Sequence, residues 1–96
     1  MNPEEIALET AKLGIEAESF LSSSLGKYLM DRAELHIMEH TAKLVVASPD
    51  DIKANTDCRV QIEIAQLFQE WLVELVNAGH MATNQIHEME SFENAH

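Results

Sequence analysis

The chain of 96 residues contains few of the residues that interrupt helices, cross-link a chain or attract phosphate. A single cysteine, Cys58, excludes a disulfide within the chain and is typical of a reducing compartment. Two prolines and three glycines leave long stretches in which a helix can continue. Six Lys and Arg stand against 17 Asp and Glu, a net charge of −11. Such a surface repels phosphate groups, so we expect neither nucleic-acid binding nor attraction to anionic membranes.

Long apolar runs are also absent. No segment approaches the roughly 20 consecutive apolar residues that a membrane-spanning helix needs. The chain begins Met-Asn-Pro-Glu-Glu, which lacks the basic and then apolar segments of a secretory signal. We therefore expect a cytoplasmic protein whose length is enough for one domain.

Two helices are predicted in the first half of the chain. Pro3, with Asn2 as the N-cap, begins a helix over about 3–21. The serine run 22–24 ends this helix or bends it, because serines form local hydrogen bonds that compete with helical ones. A second helix is expected over about 25–46 and ends before the next proline.

The third predicted helix is the longest and covers about 49–78. Ser48-Pro49-Asp50-Asp51 offers an N-cap serine, a proline at the first helical position and an acid three residues after the cap. Asn77-Ala78-Gly79 offers a glycine placed for a left-handed C-terminal turn. Because the connection to the second helix is short, the two helices should form an antiparallel hairpin.

The third helix has a narrow polar stripe and a wide apolar face. On a helical projection its polar residues fall within about 80° of one another, and most other positions are apolar. These polar residues are Arg59, Glu63, Gln66, Glu70, Glu74 and Asn77. A helix packed on one neighbour needs an apolar stripe of only about 100°. The remaining apolar surface predicts that a second copy of the chain covers it, and two-fold dimers are the commonest solution.

The sequence thus predicts an all-α, elongated fold, an antiparallel helical hairpin plus an N-terminal helix, completed by dimerisation. Residues 1–79 form its single domain. Eight apolar residues should form the core or the interface between copies: Ile6, Leu13, Phe20, Leu29, Ile64, Phe68, Trp71 and Leu75. Residues 80–96 should be an acidic tail that is a short helix or partly disordered, since Ile86, Met89 and Phe92 recur at three-residue spacing.

The pattern His36-Ile37-Met38-Glu39-His40 matches the H-x-x-E-H motif of inverted zinc peptidases. Such enzymes need a third protein ligand and a large scaffold that closes a cleft around the substrate, so we expect no peptidase activity from this short match. A non-catalytic site remains conceivable, because the predicted hairpin brings Asp57 and Cys58 opposite His40. His36, His40 and Cys58 would then be the candidate ligands for Zn²⁺.

A second interpretation makes the two histidines neutral, partly buried residues bonded to Thr56, Gln61 or backbone carbonyls, with Cys58 as a small hydrophobe. We favour this interpretation, because no dense group of ligands supports a metal site. A third is an interface that responds to pH, since charging two imidazoles on an apolar face is costly. No serine, cysteine or threonine has a convincing base beside it, so we expect no enzyme and no cofactor.

The segment from Phe20 to Leu29 (FLSSSLGKYL), followed by Asp31-Arg32-Ala33-Glu34, resembles a block in small proteins of tailed phages and prophages. A second block, with Arg59, Val60, Ala65, Phe68 and Trp71-Leu72, is similar as well. The resemblance covers about half of the chain. It implies a helical fold in a phage or prophage setting, hence the host cytoplasm, and carries no assigned activity or site residue.

Together these features predict a non-enzymatic, homo-oligomeric protein that binds other proteins, with an accessory or assembly role in a phage. Two alternatives stay open. One is a metal-binding or pH-sensing module built on the histidines. The other is an acidic mimic of DNA, or an inhibitor of a host protein, that uses Glu63, Glu70 and Glu74.

Overall fold

The structure, a computed structural model, describes residues 2–94 and contains three helices. They are α1 (Pro3–Ser22), α2 (Ser24–Val46) and α3 (Ile52–Asn94). No strand occurs in the part of the chain that the structure describes. The all-α prediction is confirmed.

Helix α1 begins and ends where the sequence predicts. The Asn2 side chain accepts a hydrogen bond from the backbone N–H of Glu5 at 2.8 Å, which caps the first turn. Ser23 leaves the helix with extended backbone angles, and its N–H donates to the Phe20 carbonyl at 3.0 Å. Helix α2 starts at the next residue, so the serine run stops α1 rather than bending it.

The predicted start of α3 is wrong by three residues. Ser48 to Asp51 form a turn closed by a 3.0 Å bond from the Asp51 N–H to the Ser48 carbonyl, with Pro49 in its second position. Asp51 then caps α3, since its side chain accepts from the Ala54 N–H at 3.1 Å. Proline suits the second position of a turn as well as the first position of a helix, and here the turn prevails.

The identity of this cap can be tested. We expect Asp51→Ala to lower the free energy of unfolding by ~1 kcal/mol, because it leaves the Ala54 N–H without its acceptor. Ser48→Ala should cost less, since it removes only a long 3.4 Å contact to the Asp50 N–H and keeps the Ser48 carbonyl. Urea unfolding followed by circular dichroism measures both. A larger loss for Ser48→Ala would contradict the assignment.

The predicted end of α3 is also wrong. The helix does not stop at Gly79 but continues to Asn94, so residues 80–94 are helical. No glycine of the described chain has the positive φ of a left-handed C-terminal turn. A Cβ atom built on Gly79 would lie 2.6 Å from the Cα of Gly14. Glycine stands here because two helix backbones approach closely, which is a different use of the residue from ending a helix. Residues 95 and 96 of the predicted tail lie outside the described residues.

The contacts divide the chain into two compact units, which replace the predicted boundary at residue 79. The hairpin unit comprises residues 24–71, that is α2 and the first part of α3. The terminal unit comprises the described residues up to 23 and from 72 onwards, that is α1 and the rest of α3. Each unit is therefore a pair of helices.

Both pairs are antiparallel. In the hairpin unit His36 bonds to Gln61 at 2.9 Å and Glu34 to Gln69 at 3.2 Å, so earlier residues of α2 meet later residues of α3. In the terminal unit Ala7 is buried against Ala82, whereas Gly14 lies against Gly79 and beside the Leu75 carbonyl, so earlier residues of α1 meet later residues of α3.

The buried core consists of small side chains alone. Its hydrophobic members are Ala7, Ala11, Ala17, Cys58, Ala65 and Ala82, and no large side chain of the described residues is fully buried. Of the eight residues predicted for the core or the interface, Ile6, Leu13, Ile64 and Trp71 are exposed. These four lie outside the core of the single chain, because a pair of helices covers only one side of each helix, and their place in an interface between copies stays a prediction. Phe20, Leu29, Phe68 and Leu75 are half-buried.

Candidate interaction surface

Large apolar side chains lie mostly at the surface of this protein. Among the described residues nineteen of them are exposed, in all three helices. Extensive exposed apolar surface commonly marks a site of interaction with another protein, so these surfaces are the candidate functional site.

Four of the exposed side chains form a continuous row on α3 within the hairpin unit. Val60, Ile64, Leu67 and Trp71 are separated by four, three and four residues, so they share one side of the helix. Their exposed fractions are 44%, 55%, 40% and 62%. We call this row the α3 ridge. Its spacing is that of the apolar seam of a coiled coil, which packs against another helix.

A second exposed row lies on α2. Tyr28, Leu35, Met38 and Val45 fall on one side of the helix, and all four are exposed. On a helical projection this side is opposite the half-buried residues of α2, which include the His36 that bonds to α3. The hairpin unit thus presents apolar residues on two of its sides.

The terminal unit carries a groove between α1 and α3. Its lining includes Ala7, Ala78 and Ala82 together with the exposed Ile6 and Met81. The groove is open to solvent and has a volume of about 400 Å³.

The negative charge is unevenly divided between the two units. The terminal unit has nine acidic residues and one lysine, a net charge of −8. The hairpin unit has eight acidic and five basic residues, a net charge of −3. Like charges raise the free energy of association, so the two units differ in how readily they can meet another copy of themselves.

The two histidines of the predicted motif lie in the seam of the hairpin unit. His36 Nε2 lies 2.9 Å from Gln61 Oε1, and His40 Nδ1 donates to the His36 carbonyl at 2.9 Å. Their ring centroids are 4.2 Å apart. Gln61 and a backbone carbonyl are among the partners that the favoured interpretation of the sequence expects for these two half-buried histidines.

The third candidate ligand, Cys58, is buried and behaves as a small apolar residue of the seam. Among the described residues, no group of three or more His, Cys, Asp and Glu side chains is placed to hold a metal ion. The structure therefore brings His36 and His40 together but gives no support to the metal site.

The close contact of Gly14 with Gly79 is a feature that the sequence alone does not predict. The signal was present, since Ala7, Ala11 and Gly14 recur at four- and three-residue spacing on one side of α1. Such a row of small residues lets two helices approach closely. The sequence alone does not identify the helix that this row contacts, because the partner row lies more than sixty residues away along the chain.

None of the described helices combines the length and the apolar character required to cross a membrane. Comparison of the chain with protein-family models found no match. Comparisons with curated proteins and with solved structures found no significant match either.

Proposed function

We propose that this chain is a non-enzymatic, helical protein–protein interaction protein that works as an oligomer of itself. The observation that carries the proposal is the burial pattern. Among the described residues only small side chains are buried, whereas nineteen large apolar ones are exposed. Two-helix units have no second layer to cover their outer sides, and a further pair of helices supplies that layer in a four-helix bundle.

The resemblance of the segment 20–34 to proteins of tailed phages supports a setting for this activity. We propose an accessory or assembly role in a phage or prophage, in which the chain associates with itself and with another protein. Structural and assembly proteins are commonly symmetric oligomers, which agrees with the exposed apolar sides of both units.

The two alternative functions have weaker support. A metal-binding module would need a third ligand beside His36 and His40, and the described residues provide none. An acidic mimic of DNA would use the exposed Glu63, Glu70 and Glu74, of which the first two lie in the hairpin unit with its net charge of only −3. Acidic residues on a surface, however, commonly serve solubility alone, whereas exposed apolar rows seldom do.

Native mass spectrometry and sedimentation velocity over a dilution series test the proposed function. We expect a dimer or a larger assembly at micromolar concentration that dissociates on dilution. The mass spectrum should account for the polypeptide without bound metal. A monomer at every concentration would contradict the proposal. One zinc ion per chain would support the alternative of a metal-binding module at His36 and His40.

A further inference from the structure

We propose that the second copy docks on the hairpin unit, along the α3 ridge of Val60, Ile64, Leu67 and Trp71. The inference rests on the proposed self-association and specifies the surface that carries it. The acidic terminal unit stays outside this interface.

The ridge has the chemistry of an interface core. Four large apolar side chains follow one another without a charged residue between them on that side of α3. Trp71 is 62% exposed, and tryptophan is among the residues that contribute most to binding when an interface covers them. Because the α3 ridge has coiled-coil spacing, the surface that matches it is an apolar row on another helix, and a second copy of the chain supplies such a row.

Two-fold symmetry lets the ridges of two copies cover each other. In a two-fold dimer the same surface of each copy contacts the other, so one interface would cover both ridges at once. A standard interface takes about 800 Å² from each partner, and obligate dimers take more.

Charge selects the hairpin unit over the terminal unit as the place where copies meet. Two terminal units would bring −8 against −8, whereas two hairpin units bring −3 against −3. On a helical projection the ridge side of the hairpin unit carries Arg32, Lys43 and Lys53 as well as Glu39 and Asp57. Charges of both signs on one side can pair with those of a second copy, so the ridge sides of two copies can face each other without strong repulsion.

The charge of the ridge side disfavours a basic protein as its occupant. A basic protein would be drawn to the terminal unit, which has nine acidic residues and a single lysine. The nearly balanced, apolar ridge side offers it little attraction. The second copy is thus the occupant that the charge favours.

Two substitutions of the same type test the proposal. Ile64→Lys places a charge in the ridge, and Met81→Lys places it in the terminal unit; the two side chains are 55% and 68% exposed in the single chain. Both should therefore keep the helical circular dichroism of the wild type.

We expect Ile64→Lys to weaken self-association by at least ~30-fold, as loss of a dominant interface residue does. Met81→Lys should change the dissociation constant by less than about threefold, which is far less than the effect of losing one dominant interface residue. Sedimentation velocity over a dilution series measures the dissociation constants.

Trp71 provides a second measurement that needs no substitution, because it is the only tryptophan of the chain. On dilution of the wild type, its emission should shift to longer wavelength and its quenching by acrylamide should rise as the oligomer dissociates. Equal association of Ile64→Lys and wild type, or an unchanged Trp71 signal on dissociation, would overturn the ridge as the interface and leave the proposed oligomer intact. A wild type that is monomeric throughout would overturn both.

Discussion

Replacing Gly79 with alanine should destabilise this protein, although the same change stabilises most helices. In a helix interior alanine is favoured over glycine by about 1 kcal/mol. Here the added Cβ would lie 2.6 Å from the Cα of Gly14 and 3.4 Å from the Thr10 carbonyl oxygen. These are backbone atoms, so the two helices must separate and lose contacts along their small-residue seam. We expect a net loss of about 2 kcal/mol in the free energy of unfolding.

The measurement is thermal unfolding at one fixed protein concentration, since association raises the apparent stability. A loss of this size lowers the melting temperature of a chain of this length by roughly 8 °C or more. Asn77→Ala is the matched control, because Asn77 is exposed in the same helix and its replacement should matter little. Stabilisation of the Gly79→Ala variant would show that α1 and α3 do not meet at this point.

Deletion of residues 80–96 should unfold α1 as well as remove the end of α3. Ala82 is buried against Ala7 and Ala11, and Ile86 packs on the same cluster. Without these residues the first half of α1 has no partner, and isolated helices of this length are marginal in water. The shortened chain should lose more helical circular dichroism than the deleted residues account for, and its free energy of unfolding should fall by ~2 kcal/mol or more.

A chain that ends at Met89 provides the control. It keeps Ala82 and Ile86 and removes residues of which 90–93 are all exposed, so its stability should be close to that of the full chain. If the chain ending at Gly79 is as stable as the control, residues 80–94 are the dispensable tail that the sequence alone predicts. Urea unfolding followed by circular dichroism separates the two results.

The comparison of α1 with α3 shows why the sequence predicts some helix ends and not others. Asn2 and Ser23 act on neighbouring backbone groups, so the limits of α1 follow from a few adjacent residues. Gly79 could equally end a helix or admit a close neighbour. Only the position of Gly14 decides between these uses, and that position depends on how the chain folds back.

The candidate surface was predicted in part. The wide apolar face of the third helix is a property of periodicity, so the sequence suffices to place Ile64 and Trp71 on it. Whether such residues face the core of their own chain or solvent depends on how many helices surround each one. The structure pairs each helix in a unit with one partner, which leaves these two side chains exposed.

The sequence by itself determined the all-α class, the break at the serine run and the antiparallel hairpin, because each follows from local hydrogen bonding, periodicity or the length of a connection. Tertiary structure alone decided that α3 continues to Asn94, that Gly79 meets Gly14 and that the core contains only small residues. These features depend on contacts between residues far apart in the chain. The helical pattern of one segment does not show which distant segment packs against it.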